Sequence, residues 1–138
     1  MKAKNIDILA TELTRDEGEK LKPYKCTADK LTIGVGRNLE DRGISREESR
    51  YLLKNDMRGS IKDAEKFPWF EDLTPKRQRV IVNIIFNIGL PRFKKFKKTI
   101  RYINCQQFDH ASIEMLDSLW ASQVGKRAKR LSVMMWDG

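Results

Sequence analysis

Three side chains near the N-terminus have the types and the spacing that acid–base chemistry on a sugar linkage requires. Glu17 supplies a carboxyl group, Cys26 a thiol and Thr32 a hydroxyl, all within the stretch DEGEKLKPYKCTADKLTIGVGR. Glycoside hydrolysis needs one protonated carboxyl to donate to the leaving oxygen, and a second polar group to hold or activate water across the ring. The stretch contains both kinds of group, so we expect it to be catalytic.

The protonation states of these groups depend on their surroundings. An acid between a helix end and a hairpin is expected to be partly desolvated, which favours the protonated form of Glu17. The neighbours Lys22 and Lys25 favour a lowered pKa for the Cys26 thiol, whereas a nearby Glu17 carboxylate favours a raised pKa. The sequence leaves the direction for Cys26 open.

A helix and a hairpin are predicted to position these groups. Apolar residues at helical spacing predict a helix from about Lys4 to Arg15, with Glu17 just beyond its end. Apolar and polar or glycine residues then alternate over 31–36, which predicts a β-hairpin with its turn at 27–30. Strand alternation places Thr32 opposite Leu31 and Ile33, on a face available to a cleft. Gly34 and Gly36 allow a close approach by a ligand or backbone, or mark a sheet bend.

The rest of the chain reads as helical. Ser45 and Glu48 form a capping box that begins a helix running toward Phe67. Thr74-Pro75 begins another helix, the expected core helix, which Gly89 ends. Three more helices are predicted at about 93–103, 108–119 and 126–135.

These elements predict an α+β fold that is mainly helical and forms one domain over residues 1–138. A small N-terminal hairpin lobe, about 15–45, is expected to be joined by a long helix, about 45–67, to a larger helical lobe. That larger lobe is expected to comprise about 70–138 plus the N-terminal helix.

Composition narrows the function classes. The formal charge of +9 favours polyanionic partners such as nucleic acid, anionic lipid or bacterial wall polymers. We find neither an apolar run long enough to span a bilayer nor a secretory signal, so we expect a soluble product made in the cytosol with Cys26 and Cys105 as free thiols. One histidine and two distant cysteines make a poor metal set, so no metal is expected.

Three separated signatures resemble the phage-type lysozymes, the T-even phage lysozyme group of glycoside hydrolase family 24. The first is a Glu, a Cys and a Thr, with eight residues between the first two and five between the last two. The second is VNIIFNIG and the third is SLWASQVGKRAKRL, and the three occur in the family's order. The resemblance covers almost the whole chain. It implies a muramidase that cleaves the β-1,4 bond between N-acetylmuramic acid and N-acetylglucosamine, with inversion and without a cofactor.

The resemblance also implies roles for single residues. Glu17 matches the general acid, Cys26 the position usually held by Asp, and Thr32 the threonine that helps to position water. Phe86 matches a cleft-lining aromatic. Arg127 matches an arginine that pairs with the catalytic acid across the cleft, although it could equally be a solvated charge.

Two departures from the family pattern stand out. Arg37 stands where the family most often has His, and Asp56 matches the acidic partner of that His, so an Arg37–Asp56 pair is expected. Cys26 replaces Asp, and since an unperturbed thiol has a pKa near 8.5 against about 3.9 for Asp, the acidic limb of activity is expected at higher pH. Direct attack by Cys26 on carbon, with retention, is the lesser alternative.

Other function classes remain open from the residues alone. A lytic transglycosylase would use one Glu and leave anhydro-sugar ends. A wall cysteine peptidase would pair Cys26 or Cys105 with His110, the only histidine. A basic nucleic-acid module would use the lysine run at 94–98, but we find no nucleic-acid fingerprint and expect no nucleic-acid partner.

The family resemblance finally implies a biological setting. The enzyme is expected to be a monomeric endolysin that is made in the host cytoplasm, depends on a holin-type membrane protein and degrades peptidoglycan.

Overall fold

The computed structural model describes residues 1–138 and confirms the mainly helical α+β class. The strands are β1 (Lys20–Lys25), β2 (Leu31–Gly34) and β3 (Arg37–Asn38). The helices are α1 (Ala3–Glu17), α2 (Arg46–Ala64), α3 (Pro75–Ile88), α4 (Leu90–Phe93), α5 (Lys97–Asn104), α6 (Phe108–Leu116), α7 (Leu119–Val124) and α8 (Lys126–Asp137).

The chain divides into two compact units, Met1–Tyr51 and Leu52–Gly138. The first unit contains α1, the sheet and the start of α2, and the second contains the rest of α2 and the helices α3 to α8. The lobe boundaries drawn from the sequence, with the N-terminal helix in the helical lobe, stay a prediction.

In the first unit, the predicted hairpin is confirmed and extended by a third strand. The sheet has the order β1-β2-β3 and is antiparallel throughout, with Tyr24 opposite Thr32. The turn lies where it was predicted, because the Cys26 amide donates to the Lys30 carbonyl at 3.0 Å and the Asp29 amide donates to the Cys26 carbonyl at 2.8 Å. The turn therefore holds Cys26 through its own backbone.

The two helices of the first unit begin and end close to their predicted limits. Glu17 is the last residue of α1 rather than a residue beyond it, and Gly18 ends the helix with φ 75°. The capping box of α2 is confirmed, since the Glu48 amide donates to Ser45 Oγ at 3.1 Å and the Ser45 amide donates to Glu48 Oε1 at 2.9 Å. No residue of α1 is buried.

In the second unit, α3 is the core helix that the sequence predicted. Thr74 caps it by accepting from the Arg77 amide at 3.2 Å, and Gly89 ends it with φ 82°. The apolar side chains Val80, Ile81, Ile84 and Ile85 are buried. Full burial of each such side chain contributes about 1.5–3 kcal/mol of transfer free energy, so α3 anchors the unit.

The C-terminal helices are more divided than the sequence predicted. The predicted helix at 93–103 is split into α4 and α5, because Phe96 has a non-helical ψ of 57°. An additional helix, α7, begins at Ser118, whose side chain accepts from the Ala121 amide at 3.1 Å. None of the eight helices combines the length and the apolar character that a membrane span needs.

Candidate active site

The three predicted catalytic residues all lie in the first unit. Glu17 ends α1, Cys26 begins the β1–β2 turn and Thr32 lies in β2. The antiparallel register pairs Thr32 with Tyr24, two residues before Cys26, and the side chain of Thr32 is among the groups that lower the pKa of the Cys26 thiol. The hairpin thus brings the thiol and the hydroxyl together.

The surroundings of Cys26 favour its thiolate. Hydrogen bonding to the backbone of Lys30, and next to the backbone of Ala28, lowers the pKa of the thiol most. Burial opposes them less strongly, and the side chain of Thr32 lowers the pKa by a smaller amount than burial raises it. The sequence left this direction open between lysine charges and the Glu17 carboxylate. Hydrogen bonds within the turn determine the direction of the pKa shift, because neither the lysine charges nor the Glu17 carboxylate is among its causes.

Thr32 is less accessible than the strand alternation predicted. Only 3% of it is exposed, so the prediction that it faces a cleft openly is wrong. Its hydroxyl donates to the Lys30 carbonyl at 2.8 Å. A hydroxyl has a single proton, so Thr32 gives it either to that carbonyl or to the thiolate, and a hydroxyl oxygen also has lone pairs that accept hydrogen bonds.

Glu17 is exposed, so the partial desolvation expected from the sequence is not found. Its carboxyl group lies against the β2–β3 turn, where a Cβ added to Gly36 would meet Glu17 Oε2 at 3.0 Å. Gly36 also has φ 67°, a region that L-residues with a side chain rarely adopt. The sequence predicted that a backbone or a ligand comes close to the glycines, and the group that approaches Gly36 is instead a side chain, that of the predicted acid.

Glu40 supports the turn and was missed by the sequence reasoning. Its Oε1 accepts from the Leu31 amide at 2.8 Å and from Lys25 Nζ at 3.0 Å. Leu31 directly precedes Thr32, and Lys25 directly precedes Cys26. Hydrogen bonding to Lys25 is the main cause that lowers the pKa of Glu40. No sequence pattern distinguishes this acid from others in a polar loop.

The predicted pair between Arg37 and Asp56 is wrong. Arg37 Nη2 lies 2.8 Å from Glu48 Oε2, and Arg37 Nη1 donates to the Gly43 carbonyl at 3.2 Å. The capping box directs the Glu48 carboxylate back toward Ser45, and the same Oε1 that accepts from the Ser45 amide also accepts from Arg37 Nη1 at 2.9 Å. Hydrogen bonding to Arg37, and next to Ser45, lowers the pKa of Glu48 from an ordinary value of 4.5 to about 2.

Phe86 and Arg127, the predicted substrate-binding residues, line the same cavity of the second unit. The cavity measures about 720 Å³ and its walls are mostly apolar. Phe86 is 41% exposed there. Arg127 is held by Asn83, since its Nε donates to Asn83 Oδ1 at 2.9 Å and its Nη2 donates to the Asn83 carbonyl at 3.3 Å. The helix α3 therefore positions both an aromatic ring and a cation.

His110 has a different environment from a peptidase base. It is exposed on α6, and its ring stacks on Tyr102 with a centroid separation of 5.2 Å. Cys105 is also exposed and belongs to the second unit, as His110 does. No hydrogen bond joins Cys105 to His110, so this pair offers no activated nucleophile.

Comparisons with known proteins agree with the three signatures of the sequence. Residues 14–133 match the family model described as phage lysozyme. The chain is 27% identical to probable T4-type lysozyme 2 of Dictyostelium discoideum, over 91% of this chain and 92% of that protein. It is 32% identical to the endolysin of Salmonella phage P22, over 80% of this chain and 78% of the endolysin. It is also 26% identical to the pre-baseplate central spike protein Gp5 of Enterobacteria phage T4, over 94% of this chain but 28% of Gp5.

Proposed function

This chain belongs to the phage lysozyme family, and from that premise we propose how this lysozyme works: it hydrolyses the β-1,4 bond between N-acetylmuramic acid and N-acetylglucosamine in peptidoglycan, with inversion. The observation that carries the proposal is the hairpin, whose pairing of Tyr24 with Thr32 brings Cys26 near Thr32 in the same unit as Glu17.

In the proposed reaction, Glu17 donates its proton to the glycosidic oxygen as the bond to the anomeric carbon breaks. A water held by Cys26 and Thr32 attacks that carbon from the opposite face, and its proton passes to the Cys26 thiolate. The hydrogen bonds that lower the pKa of Cys26 support this role, because they increase the fraction of thiolate at neutral pH. One displacement at one carbon inverts its configuration.

Substrate binding is proposed for the cavity of the second unit. The ring of Phe86 offers an apolar surface to a sugar face, and Arg127 offers a cation to acidic groups of the wall glycan and its peptides. The hydrogen bonds from Arg127 to Asn83 support this assignment, because they fix the direction of the guanidinium before a ligand arrives.

A digest of purified peptidoglycan tests the reaction directly. We expect new reducing ends at N-acetylmuramic acid, with the α-anomer formed first as seen by time-resolved NMR. The Glu17→Gln variant is the matched control and is expected to lose activity. Products dominated by 1,6-anhydromuramic ends would reject hydrolysis in favour of a lytic transglycosylase, and a first-formed β-anomer would reject inversion.

The proposed biological role is that of a monomeric endolysin that lyses its host. The endolysin of Salmonella phage P22, which aligns over most of this chain, supports this role. The enzyme is proposed to be made in the host cytoplasm and to reach the wall once a holin-type protein permeabilises the membrane. Expression with and without a holin in a bacterial host tests this, since lysis should require both proteins.

A further inference from the structure

The excess positive charge of the chain lies in its second unit. Of the 28 basic and 19 acidic residues, the first unit holds 11 basic and 10 acidic, and the second holds 17 basic and 9 acidic. The stretch from Leu73 to Phe108 has nine basic residues and no acidic residue. The charge is therefore a local property of the surface rather than an average over the chain.

Six of these basic residues form what we call the cationic segment, on α4, α5 and the turn between them. Its members are all exposed, and none takes part in an ion pair: Arg92, Lys94, Lys95, Lys97, Lys98 and Arg101. The aromatic residues between them turn inward, since Phe93 is fully buried and Phe96 packs against the core. The side chains that the cationic segment exposes to solvent are therefore mainly positively charged.

This arrangement is unfavourable for α5 itself. Lys97 and Lys98 occupy the first turn, which has no acidic residue, although the helix dipole favours acids there. Arg101 lies four residues after Lys97 and three after Lys98, so like charges face each other along the helix. Only Arg101, in the last turn, is placed where the helix dipole favours a cation. The unfavourable placement of Lys97 and Lys98 points to a ligand that neutralises them.

We propose that the cationic segment binds a linear, flexible phosphodiester polymer carried by the bacterial wall, and so keeps the enzyme on its substrate. The inference rests on the proposed wall-degrading function. Charge complementarity identifies the partner as a polyanion. No large apolar side chain is exposed between Phe86 and Ile113, so the segment lacks the anchors that insert into a membrane. It also exposes no aromatic ring on which nucleic-acid bases stack.

A binding experiment tests the proposal with two variants that lose the same charge. The first carries Lys94→Gln, Lys97→Gln, Lys98→Gln and Arg101→Gln. The control carries four Gln substitutions elsewhere in the same unit, at exposed residues without ion pairs: Lys54, Lys62, Lys126 and Lys129. Every protein also carries Glu17→Gln, so that the wall stays intact during the measurement. Thermal melting establishes that each protein folds. If the fourfold variant does not fold, the double variant Lys97→Gln, Lys98→Gln replaces it.

The probes are wall sacculi that carry phosphate polymer, the same sacculi stripped of phosphate by hydrofluoric acid, phosphatidylglycerol vesicles and a single-stranded oligonucleotide. On the phosphate-bearing sacculi, the segment variant should bind at least tenfold more weakly at about 50 mM salt, and the control less than threefold. The slope of log K against log salt is negative, and its magnitude should be smaller by about 3 in the segment variant, because each of the four lost contacts releases about 0.7–0.9 counterion. On stripped sacculi, both variants should bind as their parent does.

Three results would overturn the proposal. Equal losses in the two variants would mean that net charge alone acts. Segment-dependent binding to vesicles or to the oligonucleotide, as tight as to phosphate-bearing sacculi, would assign a different partner. Unchanged binding by the segment variant would remove the site. Hydrolysis of a soluble glycan fragment, measured with Glu17 restored, reports on the proposed function alone, so the two failures can be told apart.

Discussion

The carboxyl group of Glu17 rests on Gly36, so closely that a side chain on Gly36 would push against it. A Cβ at Gly36 would lie 3.0 Å from Oε2 and 3.3 Å from Cδ of Glu17. The end of α1 and the β2–β3 turn therefore meet at the predicted acid, and the missing side chain of Gly36 sets where that acid can lie.

Replacing Gly36 with Ala should displace Glu17 and lower kcat/KM on peptidoglycan by about tenfold, which corresponds to 1.4 kcal/mol of lost transition-state stabilisation. The substitution also places a side chain at φ 67°, which costs about 1 kcal/mol of folding free energy. Steady-state turbidity assays and urea unfolding measure the two effects.

Gly34→Ala separates the contact from the backbone strain. Gly34 has φ 68°, nearly the same as Gly36, but a Cβ there would meet nothing within 4 Å. Gly34→Ala should therefore lose about as much stability as Gly36→Ala, but its loss of activity should be much smaller. Equal losses of activity in the two variants would mean that strain in the hairpin, and not the position of Glu17, controls the rate.

The pH profile should report the ionisation of Cys26. A thiol that acts as a base must be deprotonated, so kcat/KM should rise as the pH passes upward through its lowered pKa. Because an aspartate ordinarily ionises near pH 3.9, below an ordinary thiol, Cys26→Asp should keep activity and move this acidic limb to lower pH. The thiolate absorbance near 240 nm gives the pKa of Cys26 independently.

The other thiol provides the control for that profile. Cys105 is exposed in the second unit, and Cys105→Ser should leave the profile unchanged. Cys26→Ser should reduce activity, since a hydroxyl is a far weaker base. Full activity in Cys26→Ala would show that the reaction does not use the thiol.

Local patterns predicted most of the backbone that carries these groups. Apolar periodicity predicted α1 and α3, a capping box predicted the start of α2, and strand alternation predicted the hairpin with its turn at 27–30. In each case the signal lies within a few neighbouring residues. The same reasoning identified Phe86 and Arg127 through a resemblance, and both line one cavity.

What local patterns did not predict depends on contacts between segments. The partner of Arg37 depends on how the loop from Gly43 returns to α2, which brings Glu48 within reach, whereas the family pattern had indicated Asp56. The burial of Thr32 likewise depends on what covers its side of the sheet, which strand alternation does not specify. Asn83 and Glu40 act through hydrogen bonds across 44 and 9–15 residues. A single sequence offers no signal for such pairs.

The ion pair of Arg37 with Glu48 should make stability depend on pH. The pKa of Glu48 is about 2 in the folded protein against an ordinary 4.5, so its stabilising contribution is present above about pH 4.5 and is lost as the pH falls toward 2. Glu48→Gln should lower Tm by a few degrees at pH 7 and by nothing near pH 2. Glu47→Gln, in the same helical turn but without an ion pair, should show no such trend. Since the pair is partly exposed, salt should weaken the effect.

Glu40 should act on the reaction through the turn that holds Cys26. Glu40→Ala removes the acceptor for the Leu31 amide and for Lys25, which loosens the turn and weakens the backbone hydrogen bonds to the thiolate. The pKa of Cys26 should therefore rise, and kcat should fall about threefold to tenfold at neutral pH. Glu19→Ala, at an exposed acid without an ion pair, is the control. A drop in Tm with an unmoved Cys26 pKa would leave Glu40 with a structural role only.

Phe86 should contribute to binding rather than to bond cleavage, because it lines the cavity of the second unit while the proposed acid and base lie in the first. Phe86→Ala should raise KM for glycan fragments about threefold to tenfold, the range expected for losing one aromatic contact of about 0.5–1.5 kcal/mol, with kcat little changed. Ile113→Ala removes an exposed apolar side chain outside the cavity and should leave both constants unchanged. A fall in kcat with KM constant would instead mean that Phe86 helps to align the scissile bond.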